Sequence, residues 1–177
     1  MKVLFKWITT FRQWLVLHCK KPLVIVYGAK ATGKTVCAMK VAAKYLKQGL
    51  NVDFIYPTTA RAKQGLDYFR NLYSEDFTYN CMTKEISFNG HTLNFIATNV
   101  VEETLKEQAV FPDVVIFDEY WSLDFSVYKV VPAGQSRNRK CLQVLYFHFP
   151  LTDKEFIYIP SDAALFQWKS FIKRDKS

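Results

Sequence analysis

Cysteine is scarce in this sequence and wrongly spaced for metal. The four thiols, Cys19, Cys37, Cys81 and Cys141, include no pair two residues apart, and only three histidines could help them. That excludes a zinc site of ordinary spacing and reads as free thiols in a reducing cytosol. Long apolar runs are missing too, so no segment is expected to span a bilayer. The N-terminus is basic and apolar, but Lys6, Thr9, Thr10, Arg12 and Gln13 interrupt it, and no small-residue cleavage site follows. A signal peptide is excluded on that pattern. Internal repeats, low-complexity stretches and linkers are absent as well, so one domain over residues 1–177 is expected. Acidic residues are in deficit: 16 against 24 Lys and Arg, for a formal charge of +8 and a pI near 9.3. The imbalance favours a polyanionic partner, nucleic acid before an anionic membrane surface.

What is present is a core-forming chain, half hydrophobic and 16% aromatic. Residues 3–18 place Leu4, Trp7, Ile8, Phe11, Trp14 and Leu15 at helical spacing, predicting an amphipathic helix. Packing on the domain's own sheet is the preferred reading of that helix; a membrane or subunit contact is the alternative. Leu23–Tyr27 and Val52–Tyr56 read as buried strands, with a helix from Lys34 to Gln48 between them and Gly49 as its left-handed stop. Thr58 or Thr59 is placed to cap a helix running to Tyr73. Thr83–Phe88 and His91–Ile96 alternate around Asn89-Gly90, a hairpin signal. Asn99 and Glu102 predict a capped short helix to Gln108. Val114–Phe117, Leu142–Phe147 and Phe156–Ile159 read as further strands. Ser161 is expected to cap a final helix with Leu165, Trp168 and Ile172 on one face. Strands alternating with helices predict an α/β fold, a largely parallel sheet flanked by helices with a β-hairpin insertion.

Gly28-Ala29-Lys30-Ala31-Thr32-Gly33-Lys34-Thr35 carries the P-loop pattern in full, between an apolar strand and a helix. Successive backbone N–H groups of such a loop form an anion nest, and the helix behind presents its positive end to the same anion. Lys34 is expected at the β- and γ-phosphates of ATP, and the Thr35 hydroxyl on Mg2+. Val114–Phe117 runs into Asp118-Glu119. Asp118 at a strand end suits the magnesium, and Glu119 suits activation of a water for attack on the γ-phosphate. The pattern predicts an ATPase.

With these pieces placed, residues 20–150 resemble the ATPase domain of viral DNA-packaging motors, the large terminases and the packaging ATPases of small tailed phages. The likeness is carried by Lys30, by Tyr56-Pro57-Thr58-Thr59 before a helix, by the Ile86–Phe95 hairpin, and by Tyr120 after the acidic pair. It is carried also by Arg137-Asn138-Arg139 before the strand Leu142–Phe147. The resemblance implies a homo-oligomeric ring on double-stranded DNA, a capsid portal as partner, and residence in the host cytoplasm. It makes Arg139 or Arg137 a finger reaching a neighbour's γ-phosphate; a solvated basic loop is the other reading of that segment. It offers Gln13 for an adenine contact, although a lone helical Gln is usually solvated. His148-Phe149-Pro150 departs from the family's Thr or Ser before Pro, leaving His148 as a phosphate sensor or an ordinary strand-end histidine. No cluster of carboxylates follows Pro150, so no nuclease domain is expected. The chain is then a stand-alone motor subunit or an isolated ATPase domain. DNA-gripping candidates are the Lys140 region, the hairpin near His91, and Lys169, Lys173 and Arg174. Three rivals stand beside this reading: a thymidine-kinase-type nucleoside kinase, a membrane-linked virion-assembly ATPase using residues 3–18, and a non-hydrolysing nucleotide-gated module.

Overall fold

A computed structural model describes residues 10–80, 85–97, 112–120, 142–148, 159, 161 and 163–168. The elements, in chain order, are α1 (Phe11–Leu17), β1 (Leu23–Gly28), α2 (Lys34–Lys47), β2 (Val52–Tyr56), α3 (Thr59–Tyr73), β3 (Thr78–Asn80), β4 (Glu85–Phe88), β5 (His91–Ala97), β6 (Val114–Tyr120), β7 (Gln143–His148) and β8 (Ala164–Trp168). The strands form one sheet in the order β3-β4-β5-β2-β6-β7-β1-β8. β4 alone among them runs against the others; every remaining neighbour pair of the sheet's centre is parallel.

Burial on both faces explains the β-branched runs. Val24, Ile25 and Val26 are wholly buried, as are Val114, Val115, Ile116 and Phe117. The two faces make separate cores, one of them packed beneath the α2 and α3 residues Met39, Leu46, Leu66 and Phe69. Phe54 stacks on Tyr56 and Phe95 at 5.1 and 5.2 Å, and on the other face Phe117 stacks on Tyr146 at 4.5 Å. Each such ring contributes roughly 1.5–3 kcal/mol by burial.

Polar ties register the strand entrances. Asn51 takes Asp113 Oδ2 through its N–H at 2.9 Å and receives the Thr92 N–H on its side chain at 3.0 Å. Gln143 donates to the carbonyls of Cys19 and Lys21 and accepts from the Tyr45 hydroxyl. Thr58, not Thr59, caps α3, accepting from Arg61 N at 3.3 Å. Asn89 and Gly90 both have positive φ, +49° and +82°, the geometry of a two-residue hairpin turn. Gly49 stops α2 at φ +79°.

Three expectations are corrected. The final helix is instead strand β8, paired in parallel with β1 from Val24↔Ala164 to Gly28↔Trp168. Ala164, Phe166 and Trp168 pack inward while Leu165 and Gln167 are exposed, an alternation of two that the i, i+3 spacing of Leu165 and Trp168 disguised. The edge of β1 is the tertiary partner that decides it. The expected strand Phe156–Ile159 does not extend to Ile159, which lies in a bend, and residues 156–158 lie outside the described residues. A single helix over 3–18 is also broken: Thr10 is extended (φ −66°, ψ 157°) and caps α1 in a capping box with Gln13. Strand β3 leaves no mark in the sequence pattern, because its three residues are too few to show alternation. Residues 3–9, Thr83, Asn99, Glu102 and Ile172 lie outside the described residues, as do Cys81 and Cys141.

Candidate nucleotide site

The loop between β1 and α2 holds its shape through unusual backbone angles. Gly28 has φ +155°, Gly33 +86° and Ala31 +59°, and Gly33 caps α2. Left-handed geometry of this kind turns consecutive N–H groups to one side. Lys34 Nζ folds back over the loop, donating to the carbonyls of Gly28 at 2.7 Å and Ala29 at 2.6 Å and to Thr32 Oγ1 at 3.3 Å. Thr32 donates in turn to Ala29 O at 3.0 Å. Burial lowers the Lys34 pKa, and Asp118 opposes that.

β6 brings the acidic pair to the same place. The order β6-β7-β1 sets one strand between the loop strand and the acidic strand, and that strand ends in His148. Asp118 pairs with Phe147 and Tyr120 with His148, so Glu119 is an extra residue in the ladder. Its φ is +59°. Neighbouring strand residues ordinarily face opposite ways; a bulge re-aims one of them. Here the bulge lets Asp118 and Glu119 line one cavity of about 560 Å3 together with the loop residues Lys30–Thr35, Arg61 and His148. A left-handed glutamate costs about 1–3 kcal/mol, which the surrounding sheet must supply.

Asp118 is 1% exposed. Burial pushes its pKa up to about 7, against the opposing hydrogen bond from the Thr35 hydroxyl. Its Oδ2 is buried without a hydrogen-bond partner among the described residues. A hydroxyl and an orphaned carboxylate oxygen side by side are the hard oxygen donors a magnesium ion takes, so the residues fit that ion. The Tyr56 phenol lies beside Asp118, and burial first, then the two acids, raises its pKa.

Sequence reasoning missed Arg61. From the first turn of α3 its Nε meets Glu119 Oε2 at 3.1 Å, with the arginine half exposed and the glutamate partly buried. Nothing in the linear pattern marks this, because the adjacency of β2 and β6 that brings α3 over the acidic pair is visible only in the sheet order. Gln13 is a second departure: it is buried, not solvated, and its Nε2 lies 3.6 Å from where a Cβ on Gly33 would sit. His148 is 1% exposed and lines the cavity. His91 packs against Gly49, away from the loop. Arg137, Arg139, Lys140, Lys169, Lys173 and Arg174 lie outside the described residues, as does the Tyr120 side chain.

Residues 4–143, well over half of the chain, match the family model described as Type III restriction enzyme, res subunit. The chain belongs to that family. Among solved structures this res-subunit family domain is similar to the N-terminal domain of the DNA packaging ATPase from bacteriophage phi29. The identity is 16% and the TM-score 0.65, over 90% of this chain and 95% of that one. It is similar also to the large terminase ATPase domain of a Thermus phage, at 14% identity and TM-score 0.65, over 93% and 82%. A third is the large terminase of a thermophilic bacteriophage in complex with ADP, at 16% identity and TM-score 0.61, over 90% of this chain and 45% of that one. No curated protein sequence matches significantly. The domain therefore has the α/β fold of the phage packaging ATPases and large terminases, and it is a P-loop ATPase-like domain. Against the longer motor proteins it spans 45–59% of their length. Among the described residues, no helix is long and apolar enough to cross a membrane.

Proposed function

We propose that this chain is an ATP-hydrolysing DNA translocase subunit that packages viral double-stranded DNA into a capsid. The observation that carries the reading is the bulge at Glu119. It sets a carboxylate at the phosphate end of a complete P-loop, beside Asp118 and against the half-exposed Arg61. A binding-only module has no use for a strained acid there.

In this mechanism the loop N–H groups and Lys34 hold the β- and γ-phosphates. Thr35 and Asp118 would hold Mg2+, which neutralises phosphate charge when bound. Glu119 accepts a proton from the attacking water. While Arg61 holds Glu119, the base is engaged elsewhere, and its release switches hydrolysis on. Arg139 or Arg137 of a neighbouring subunit completes the charge at the γ-phosphate, and His148, between the loop strand and the acidic strand, is placed to register its loss. Ring subunits on double-stranded DNA, docked on a capsid portal, then grip phosphates through basic loops without reading bases. The fold likeness to packaging ATPases and the net charge of +8 support a duplex-DNA track.

The test is ATP hydrolysis with and without long double-stranded DNA, with thymidine offered in parallel as phosphate acceptor. DNA should stimulate phosphate release. Lys34→Ala and Glu119→Gln should each lower it by about a hundredfold or more, the second with nucleotide binding retained. Phosphate transfer to thymidine, or binding with no DNA response, would reject the motor.

A further inference from the structure

Charge is unevenly spread along this chain. Residues 1–52 hold ten Lys and Arg and no Asp or Glu, while the remainder, with 14 basic and 16 acidic residues, is slightly acidic. The net charge of +8 therefore belongs to the part that forms α1, β1, the loop and α2. Lys34 and Lys40 turn inward, Lys34 onto the loop and Lys40 onto Gln13 Oε1 at 3.0 Å. The outward cations gather where α1 ends against α2. Lys44 donates to the carbonyl of Leu17, the last residue of α1. Burial, then the nearby charge of Lys20, lowers the Lys44 pKa. Lys20 and Lys21 are exposed and enter no ion pair among the described residues. A positive field without local compensation favours a polyanion.

The outer face of α1 carries rings. Its large exposed apolar residues are Phe11, 72% exposed, and Trp14, 48% exposed, while Val16 and Leu17 pack inward. Phe11 lies within 10° of parallel to Trp14, centroids 6.1 Å apart, and His18 follows Trp14 at 4.5 Å. The His18 Nδ1–H donates to Trp14 O at 2.8 Å, which holds the row. A single exposed ring on a solvated helix is commonplace; three in contact are not. From Phe11 to His18 the helix rises about 10 Å at 1.5 Å per residue, the length of about three stacked nucleotides at 3.4 Å each. A helix lying in a bilayer presents a broad face that includes aliphatic side chains. Here the rings stand in single file with lysines at one end, which suits a stacking platform beside phosphate contacts.

We propose that the outer face of α1, with Lys20 and Lys21, is a binding surface for single-stranded nucleic acid: bases stack on Phe11 and Trp14, and phosphates meet the lysines. A duplex offers those lysines its phosphates but hides its base faces, so unpaired strand is the preferred form. None of these residues lines the nucleotide cavity. The surface goes beyond the duplex track proposed above and does not depend on it.

The experiment is fluorescence anisotropy of a labelled oligodeoxyadenylate, alone and in duplex with oligothymidylate, titrated with the full chain over a salt series. The single strand should bind several-fold more tightly than the duplex. Trp14→Leu keeps apolar area but loses the ring face, and should weaken single-strand binding roughly fivefold to a hundredfold with little change in Tm. Trp14→Phe should recover most of that loss. Lys20→Ala combined with Lys21→Ala should shrink the slope of log K against log salt by about 1.4, at about 0.7 per phosphate contact. Vesicles of phosphatidylserine and phosphatidylcholine are titrated in parallel. Vesicle binding without oligonucleotide binding would overturn the proposal in favour of a membrane surface. Equal binding of single strand by wild type and Trp14→Leu would overturn it as well. DNA-stimulated hydrolysis preserved beside either result would strike this surface and leave the motor standing.

Discussion

At the scale of single residues, two charges around Glu119 make opposite demands. Arg61 is half exposed, so its ion pair contributes at most about 1 kcal/mol to stability. Its effect should appear in rate. Arg61→Ala is expected to raise hydrolysis in the absence of DNA several-fold and to shrink the stimulation by DNA, with Tm unchanged. An unaltered basal rate would remove Arg61 from the mechanism. Asp118 makes a prediction about pH. Its carboxyl is raised from 3.8 to about 7 in the folded chain. Between those values the folded state holds a proton that the unfolded state has lost, so metal-free stability should fall as pH rises from about 4 to 7. Asp118→Asn should lack that slope when Tm is followed in chelator. Mg2+ needs the carboxylate, so Mg-nucleotide affinity should increase as pH rises through 7 while a proton is released. A flat profile in both experiments would mean that Asp118 is already ionised.

At the scale of elements, α3 is seated on β2 by one absent side chain. A Cβ on Gly65 would come within 2.4–2.6 Å of the Tyr56 ring, which is 3% exposed and has nowhere to retreat. Gly65→Ala should therefore lower stability by about 1–3 kcal/mol despite the better helix propensity of alanine. Because α3 carries Arg61, the same variant should disturb the basal hydrolysis rate. A rise in Tm would show that α3 can slide. Legibility also divides by element. The β1–loop–α2 unit, β2, the hairpin tip and Asp118-Glu119 were readable, because periodicity, glycine chemistry and motif all act locally. β8 was not, because its alternation competes with a helical spacing and only the edge of β1 resolves it. The Glu119 bulge was invisible for a similar reason: Asp-Glu reads the same in a regular strand, and the left-handed angle belongs to its pairing with β7.

At the scale of the whole molecule, the sheet order decides what the site can sense. With β7 lodged between β1 and β6, any shift of the acidic strand relative to the loop strand must pass through the strand ending at His148. The cavity over the loop is lined by Asp118 and Glu119 as well as by Lys30, Lys34 and Arg61, and a bound triphosphate would leave it with an excess of negative charge. A neighbour's arginine would suit it, so the chain with an ATP analogue and duplex DNA should sediment as a closed oligomer. Arg137→Ala and Arg139→Ala, tested separately, should identify the one that lowers hydrolysis without lowering nucleotide affinity. A strictly monomeric chain under those conditions would refute the ring.

The pairing of Gly28 with Trp168 has an evolutionary side. A Cβ at position 28 would lie 2.0 Å from the Trp168 carbonyl oxygen, a collision with backbone that no rotamer relieves. Among the described residues a Cβ on Gly33 would meet only the Gln13 amide, at 3.6 Å, and its φ of +86° is the principal obstacle to another residue. In a lineage that lost its need for nucleotide, the two glycines of the loop would drift at different rates. Gly33 would be free to become asparagine, while Gly28 would persist for as long as β8 stays on the sheet. A degenerate descendant keeping only its first glycine would record the fold, not the activity.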